Sequence, residues 1–376
     1  MKRYLESVVL HDLPKKIVIL TGPRQVGKTY LAKSMMSHYE KPHYLNFDAQ
    51  EDANIIRHRS WHSAADFLIF DEIHKMKSWK RFLKGVFDTK PAHQSILVTG
   101  SARLDTFRQA GESLAGRYFH YTLHPFSLRE LKSSKASADH LLDQLNTLGG
   151  FPEPFLSHSE QEAARWRNQY YTDLVREDIL EFSRIQEIRS IRLLLELLRE
   201  RVGSPLSYTN LAGDLQLAPN TIRKYLDILA SLYIIFFVRP FHHNVARAIL
   251  KEPKVYFYDS GFVKGDEGIR FENTCAVSLL KHVHYLRDTQ GADVSLNYLR
   301  TKEGREVDFV LSQDGKLTEL IEAKLTDGSP SPHLIYFSKQ FKTIKARQIV
   351  RYLKHEEQFN HLTIERAAQY LSDLSA

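Results

Sequence analysis

The sequence predicts an α/β protein with an N-terminal parallel sheet, a helical segment, a winged helix-turn-helix and a second α/β domain at the C-terminus. Three observations lead to this prediction. A glycine-rich loop joins an apolar run to an amphipathic helix near the N-terminus, leucines recur at helical spacing over residues 155–203, and apolar residues alternate over residues 307–325. Apolar runs and alternation are typical of strands, whereas recurrence every three to four residues is typical of helices.

The composition is that of a folded protein with more than one domain. The chain has 376 residues, of which 43% are hydrophobic and 26% charged, enough for two or three domain cores. Its single cysteine, Cys275, excludes disulfides and cysteine-rich zinc sites. The charged N-terminus does not fit a signal peptide, and the longest apolar run, around Ile234 to Val238, is too short to cross a bilayer. We therefore expect a cytoplasmic protein without membrane contact.

The net charge of +7 has its basic surplus within residues 1–150. Such a surplus is compatible with nucleic-acid binding, but many proteins that never bind nucleic acid are equally basic. Charge alone leaves this question open.

The stretch Ile17 to Tyr30 predicts a site for ATP. Apolar residues Ile17 to Leu20 form a buried strand, the pattern Gly-x-x-x-x-Gly-Lys-Thr follows, and a helix runs through Met36. The glycines let the backbone approach phosphate oxygens, and the helix N-terminus offers free N–H groups. Lys28 is expected on the β- and γ-phosphates and Thr29 on Mg²⁺. The expected ATP contacts are Gly22, Pro23, Arg24, Gln25, Val26, Gly27, Lys28, Thr29 and Tyr30.

The next strands predict the rest of this site. His43 to Phe47 is a strand, and the apolar run from Asp66 ends in Asp71 and Glu72. The C-terminal end of a parallel strand brings Asp71 to the phosphate-binding loop, where it would hold Mg²⁺, and Glu72 would orient the attacking water. Strand Ser95–Thr99 ends near Ser101, a hydroxyl placed to sense the γ-phosphate.

Residues 74–88 predict an amphipathic helix with a basic face, and a fifth strand ends at Thr122. A solvated face explains the lysines and arginines of this helix, and a surface that follows DNA is the alternative.

Six motifs in order resemble one family. GPRQVGKT, FLIFDE, VTGSA, SLAGR, HPFSLREL and GGFPEP resemble those of the bacterial and archaeal AAA+ ATPases whose C-terminal domain was long described as of unknown function. The resemblance implies ATP hydrolysis with Mg²⁺ in a homo-oligomeric ring, expected to be a hexamer. It also makes Arg117 a candidate arginine finger that completes a neighbouring subunit's site. An ordinary ion pair with a nearby carboxylate is the alternative for Arg117.

The middle of the chain predicts a helical lid and then a winged helix-turn-helix. Tyr208 to Gln216 and Asn220 to Tyr233 form the two helices, with Pro219 opening the second, and Ile234 to Val238 pairs with Lys254 to Tyr258 as the wing. We expect duplex or branched DNA as partner, contacted by Asn220, Thr221, Arg223, Lys224, His242, His243 and Arg247. Winged helices also bind proteins, and this alternative stays open.

The C-terminal residues resemble the PD-(D/E)XK nuclease core, a restriction-endonuclease-like α/β fold. The resemblance implies that Asp308 and Glu322 hold Mg²⁺, that Lys324 activates water, and that Glu272, on a helix predicted to begin at Phe271, supports the metal. A scaffold that has kept these residues without a metal is the alternative.

Strand alternation adds a geometric condition to this nuclease hypothesis. Val307, Phe309 and Leu311, with Ile321, Ala323 and Leu325, would form one apolar face and leave Asp308, Glu322 and Lys324 on the other. A two-residue turn at Asp314-Gly315 would put Asp308 on the wrong face. The hypothesis therefore predicts a three-residue loop, Gln313 to Gly315.

The predicted domains are an ATPase domain at 1–145, a helical lid at 146–203, a winged helix-turn-helix at 204–260 and a nuclease-like domain at 261–376. Three functions remain open. The first is an ATP-driven protein that acts on DNA in repair or recombination. The others are an ATP-dependent switch that binds proteins and an ATP-dependent nuclease of a defence system.

Overall fold

A computed structural model of the protein describes residues 2–100, 114–132, 136–174, 185–242, 251–326, 329–359 and 362–376. The predicted site residues Ser101, His243 and Arg247 lie outside these ranges. The chain forms two compact units, Met1–His124 and Pro125–Ala376. Within the described ranges no helix is both long and apolar enough to span a membrane.

The N-terminal unit contains a five-stranded sheet in the order β2-β3-β4-β1-β5. Every pairing in it is parallel, as the sequence predicts. Its strands are β1 (Ile17–Thr21), β2 (Pro42–Asn46), β3 (Phe67–Asp71), β4 (Ser95–Thr99) and β5 (Tyr118–Thr122), and its helices are α1 (Glu6–Asp12), α2 (Lys28–Ser34), α3 (Gln50–His58) and α4 (Trp79–Thr89). Strands β1, β3 and β4 are buried along their whole length, which explains their continuous apolar sequences.

Helix α4 has the predicted amphipathic character, although it begins later than expected. A 3-10 turn at Ile73–Lys75 precedes it. Trp79, Phe82 and Leu83 pack into the core of the N-terminal unit. Arg81 and Lys84 are exposed, so the basic face points to solvent.

The C-terminal unit begins with helices. They are α5 (Leu128–Leu131), α6 (Ala138–Leu148), α7 (Pro152–Leu156), α8 (Glu160–Leu174), α9 (Ile185–Arg199), α10 (Tyr208–Leu215) and α11 (Pro219–Ser231), followed further along the chain by α12 (Glu267–Gln290), α13 (Pro332–Gln340) and α14 (Ala367–Ser372). Helix α10 begins after Ser207, whose hydroxyl accepts the Asn210 N–H. Pro219 lies in the first turn of α11, where its missing N–H costs no helical hydrogen bond. Both helices therefore lie within two residues of their predicted bounds.

An eight-stranded sheet completes this unit in the order β12-β13-β11-β10-β9-β8-β6-β7. Its strands are β6 (Ile235–Pro240), β7 (Lys254–Phe257), β8 (Val294–Arg300), β9 (Glu306–Gln313), β10 (Lys316–Lys324), β11 (Lys345–Val350), β12 (Glu357–Phe359) and β13 (Leu362–Arg366). The antiparallel pair β6–β7 corresponds to the predicted wing, and β6 also pairs with β8. One sheet therefore crosses the predicted domain boundary at residue 260.

The β9–β10 hairpin differs from the prediction. Gln313 pairs with Lys316, so the turn has two residues, and Asp314 and Gly315 have φ of 50° and 71°. This is the Asp-Gly turn that suits a hairpin, and the predicted three-residue loop is wrong. The register instead shifts between Leu317 and Glu319, so that Phe309 pairs with Ile321. The next residues along, Asp308 and Glu322, therefore come opposite each other and share a face, which is the condition that the nuclease hypothesis sets.

The prediction that every second residue of β9 lies on one apolar face is also wrong. Val307 and Val310 lie in one core cluster together with Leu320, although they are three residues apart. Phe309 packs on Tyr256, with ring centroids 5.6 Å apart. The register between β8 and β9 shifts between Asn297 and Leu299. An irregularity of this kind changes which residues share a face.

Candidate functional site: a nucleotide-binding loop and a carboxylate cluster

The glycine-rich loop after β1 has the backbone geometry expected for a phosphate-binding loop. Gly27 precedes α2 with a left-handed conformation, φ 96°. Gly22 has φ 137°, and a Cβ there would clash with the Leu123 carbonyl oxygen. Both positions therefore require glycine.

Lys28 lies across this loop. Its side chain is buried, 8% exposed, and its Nζ donates to the carbonyl oxygens of Gly22 at 3.0 Å and Pro23 at 2.6 Å. These contacts hold the ammonium group over the turn where phosphates would bind. Of the other predicted ATP contacts, Pro23 and Val26 are buried, and Gln25 and Tyr30 are exposed.

Asp71 is the centre of the hydrogen-bond network beside the loop. Its Oδ2 accepts the Thr29 hydroxyl at 2.9 Å and the Tyr44 hydroxyl at 2.7 Å, and its Oδ1 accepts the Thr99 hydroxyl at 2.5 Å. Burial and the Asp71 charge raise the pKa of Tyr44, so Tyr44 stays a neutral donor. The parallel register places these groups together, because Asn46, Asp71 and Thr99 end three neighbouring strands.

Glu72 follows Asp71 in a left-handed backbone conformation, φ 55°, which is uncommon for glutamate. Its N–H donates to the Thr99 carbonyl at 3.0 Å, and its Oε2 lies 3.5 Å from His74 Nε2. Burial and the neighbouring Asp71 charge raise the pKa of Glu72. A raised pKa suits a carboxylate that accepts a proton from water.

These residues fit ATP with Mg²⁺. The Thr29 hydroxyl and the Asp71 carboxylate are the oxygen ligands that Mg²⁺ prefers, and they already lie in contact. The left-handed Gly27 leads directly into α2, whose first turn offers backbone N–H groups to phosphate oxygens. Bound ATP would supply the phosphoryl group to be transferred, while Lys28 would neutralise phosphate charge and Glu72 would orient water.

Arg3 also belongs to this site, and sequence reasoning missed it. The guanidinium is 3% exposed and donates at 2.6 Å to the Val26 carbonyl and at 2.6 Å to the His124 carbonyl. It ties the loop to the chain that follows β5. No local motif reveals such a contact, because 23 and 121 residues separate the partners.

Arg117 pairs with Asp88 in the N-terminal unit. Its Nε donates to Asp88 Oδ1 at 2.8 Å and its Nη2 to Asp88 Oδ2 at 3.1 Å. The pairing raises the pKa of Arg117. Arg117 is half-buried and Asp88 is exposed. The structure thus shows the ordinary ion pair that the sequence left as the alternative to an arginine finger.

The start of α11 is accessible, as a nucleic-acid contact requires. Asn220, Arg223 and Lys224 are exposed and Thr221 is half-buried. Two of these side chains already contact protein groups: Lys224 Nζ lies 3.6 Å from Glu187, and Arg223 lies over the Tyr208 ring at 5.4 Å.

The predicted nuclease residues lie in two adjoining groups. Asp308 and Glu272 contact Lys254, at 3.6 Å and 3.4 Å from its Nζ. Glu322 contacts Lys324 Nζ at 2.9 Å and accepts the Ser331 hydroxyl at 3.3 Å. Burial and the Asp308 charge raise the pKa values of Glu272 and Glu322, each to about 7.

The three carboxylates predicted as metal ligands do not fit a divalent metal as they stand. Lys254, a residue that sequence reasoning missed, contacts two of them, Glu272 and Asp308. Burial lowers its pKa, but the charges of Glu272, Asp308 and Glu306 raise it above its ordinary value, so the lysine stays charged. Among the described residues, no group of three or more Asp, Glu, His or Cys side chains is placed to hold a metal ion. Helix α12 also begins at Glu267, so Glu272 is not in its first turn as predicted.

Comparison with known families agrees with the N-terminal geometry. Residues 14–132 match the AAA domain. Residues 139–268 and 267–366 match two domains of unknown function, DUF8612 and DUF4143. The N-terminal unit therefore resembles an AAA domain.

Two relatives resemble the chain along most of its length. An uncharacterized protein of Mycobacterium tuberculosis is 26% identical over 374 residues, covering 91% of this chain and 82% of the relative. An uncharacterized protein of Methanocaldococcus jannaschii is 23% identical over 393 residues, covering 94% and 85%.

Solved structures resemble the chain only weakly. A RuvB variant of Thermotoga maritima is 19% identical, with a TM-score of 0.31, and covers 61% of this chain and 86% of its own. A signal-transduction ATPase with numerous domains from Pyrococcus horikoshii is 14% identical, with a TM-score of 0.23, covering 76% and 48%. Scores this low add nothing to the family match.

Proposed function

We propose that this protein is an ATP-hydrolysing, oligomeric AAA+ protein that acts on duplex or branched DNA, in repair or recombination. The observation that carries ATP hydrolysis is the Asp71 network. One carboxylate contacts hydroxyls from α2, β2 and β4, and Glu72 follows it with a raised pKa. A metal-binding aspartate followed by a water-orienting glutamate, beside a phosphate-binding loop, is the arrangement that hydrolysis of a nucleoside triphosphate needs.

DNA is the proposed partner because the start of α11 is polar and accessible. Asn220 and Arg223 can donate to phosphates or base edges without rearrangement of the helix. The contact set is small, so we expect a shallow salt dependence, with a slope of about 0.9 for each phosphate contacted. No cutting activity is included, because Lys254 contacts Glu272 and Asp308, two of the three carboxylates predicted to hold the metal.

Assembly is proposed from the position of Arg117. Ile17, at the start of β1, donates its N–H to the Arg117 carbonyl, whereas the phosphate-binding loop begins after Thr21 at the other end of β1. A strand of this length spans about 16 Å at roughly 3.3 Å per residue. Arg117 therefore lies far from the loop of its own subunit. As an arginine finger it would serve a neighbouring subunit in a ring of about six.

The test is ATP turnover with a panel of single-stranded, duplex and branched DNA. We expect duplex or branched DNA to stimulate turnover, Lys28→Ala to lose ATP binding, and Glu72→Gln to bind ATP without hydrolysing it. Arg223→Ala should weaken DNA binding and lower the salt slope by about one contact. Arg305→Ala is the matched control, because Arg305 is also exposed and lies over a tyrosine ring, that of Tyr336.

Each half of the proposal can fail separately. Full turnover in Glu72→Gln would contradict the role of Glu72. ATP turnover that no DNA stimulates, with equal DNA binding in Arg223→Ala and Arg305→Ala, would contradict the DNA partner and favour the protein-binding switch.

A further inference from the structure

Lys254 is a buried lysine that contacts three carboxylates of the C-terminal unit, those of Glu272, Glu306 and Asp308. The side chain is 1% exposed, and its Nζ lies within ion-pair distance of carboxylates. Its Nζ lies 2.7 Å from Glu306 Oε1, 3.4 Å from Glu272 Oε1 and 3.6 Å from Asp308 Oδ1. A buried ammonium is tolerated only when opposite charges compensate for the loss of water. Three carboxylates from α12 and β9 supply that compensation.

The surroundings fix the ammonium in this position. Lys254 opens β7, and its backbone forms a bridge with Pro205. The Tyr298 ring lies 5.6 Å from Nζ, and the Tyr256 hydroxyl donates to Glu272 Oε1 at 2.7 Å. The lysine therefore has little freedom to leave the carboxylates.

The chain also closes over Glu272. Gly203 has φ 75°, and a Cβ there would lie 2.8 Å from Glu272 Oε1 and 2.9 Å from Oε2. The Gly203 N–H donates to the Val255 carbonyl at 3.2 Å, which holds this loop against β7. A larger residue at position 203 would push against the carboxylate.

A divalent ion on these carboxylates would meet the ammonium. Mg²⁺ binds oxygen at about 2.1 Å. An ion bound to Glu272 Oε1 or Asp308 Oδ1 would then lie within about 6 Å of Nζ, because Nζ is no more than 3.6 Å from either oxygen. Two like charges at that separation inside a protein repel strongly.

We propose that Lys254 is a permanent internal cation that takes the place of a divalent metal in this cluster. The C-terminal unit is then a metal-independent scaffold. Lys254 joins the β6–β7 hairpin to α12 and β9. This inference concerns the C-terminal unit alone and stands or falls independently of ATP hydrolysis and DNA binding.

The test is Mn²⁺ binding to the full chain without nucleotide. Every protein carries Asp71→Asn, so that Mn²⁺ bound near the ATP site does not contribute. We compare the parent, Lys254→Met and Lys324→Met by electron paramagnetic resonance of free Mn²⁺ and by thermal melting with and without Mn²⁺. Lys324→Met is the matched control, because Lys324 contacts a carboxylate of the adjoining group but is 40% exposed.

We expect the parent and Lys324→Met to bind no Mn²⁺. We expect Lys254→Met to melt at a lower temperature in metal-free buffer and to recover part of that loss in millimolar Mn²⁺. Adding Asp308→Asn to Lys254→Met should remove the recovery. A folded Lys254→Met protein that gains no Mn²⁺ binding would contradict the proposal.

The parent protein alone keeps the inference falsifiable if Lys254→Met does not fold. Stoichiometric Mn²⁺ binding by the parent that Asp308→Asn abolishes would overturn it. An unchanged, flat Mn²⁺ titration for both the parent and its Asp308→Asn variant would support it.

Discussion

Arg3 donates a hydrogen bond to a backbone carbonyl group of the nucleotide-binding loop, that of Val26. We do not expect it to contact ATP itself. Its hydrogen bonds to the carbonyl groups of Val26 and His124 are buried and come from a charged donor. Hydrogen bonds of this kind stabilise by about 1.5–3 kcal/mol. Arg3 is thus a positioning residue whose effect reaches ATP only through the loop.

We predict that Arg3→Met weakens ATP binding by roughly 10- to 100-fold, the equivalent of one such hydrogen bond, and changes kcat less than KM. Lys2→Ala is the control, since Lys2 is exposed and lies 3.9 Å from Glu6. Nucleotide titration and steady-state kinetics measure both variants. A stable Arg3→Met protein with the ATP affinity of Lys2→Ala would refute the prediction.

The roles of single residues could be predicted where the partners are close in sequence or end neighbouring strands. Lys28, Thr29, Asp71 and Glu72 belong to motifs, and the parallel sheet brings them together. Lys254 was missed because its partners lie 18 to 54 residues further along, on α12 and β9. Whether a lysine lies among a group of carboxylates depends on tertiary packing, which the spacing of residues along the sequence does not reveal.

At the scale of elements, a buried ion pair joins helix α8 to the segment after β7. Arg167 Nε donates to Asp259 Oδ2 at 2.7 Å, and Asp259 is completely buried. Arg167 also donates to the Leu148 carbonyl. Cβ atoms at Gly149 and Gly261 would overlap with Asp259 and Arg167, so the glycines make room for the pair.

Arg167→Met should destabilise the C-terminal unit by about 3–5 kcal/mol, because it leaves the Asp259 carboxylate buried without its partner. The matched control is Arg201→Met. It breaks an ion pair at the surface, in which Arg201 Nη2 lies 2.6 Å from Asp214 Oδ2, and should lower the free energy of unfolding by about 0–1 kcal/mol. Urea unfolding measures both. Equal losses in the two variants would contradict the distinction between buried and exposed pairs.

The sequence predicted where helices and strands begin and end more accurately than which strand residues share a face. Strand β4 was predicted at the bounds it has, and α10 and α11 within two residues. The β9–β10 hairpin failed because Asp-Gly formed its preferred two-residue turn and the register shifted near Thr318 instead. A register shift of one residue moves every side chain beyond it to the other face of the sheet relative to its partner strand. No local signal in the sequence indicates this shift.

At the scale of the whole molecule, two compact units share one chain, and the proposed ring would complete each ATP site with a second subunit. Arg117 binds the Asp88 carboxylate through two N–H groups at the protein surface, and the same groups would bind phosphate oxygens of a neighbouring subunit in the proposed ring. In this proposal Lys28 and Arg117 of one ATP site come from different subunits. The proposal can therefore be tested by mixing.

We predict that Arg117→Ala and Lys28→Ala proteins, each inactive alone, regain about a quarter of wild-type ATP turnover when mixed in equal amounts. In a randomly mixed ring, that share of interfaces joins an intact Lys28 to an intact Arg117 from the neighbour. The control replaces Lys28→Ala with a subunit carrying both changes, which cannot donate an arginine. Recovery in the first mixture and none in the second would support Arg117 as a residue supplied across an interface. If the first mixture stays inactive, or if the protein is monomeric with ATP at every concentration, Arg117 serves only its pair with Asp88.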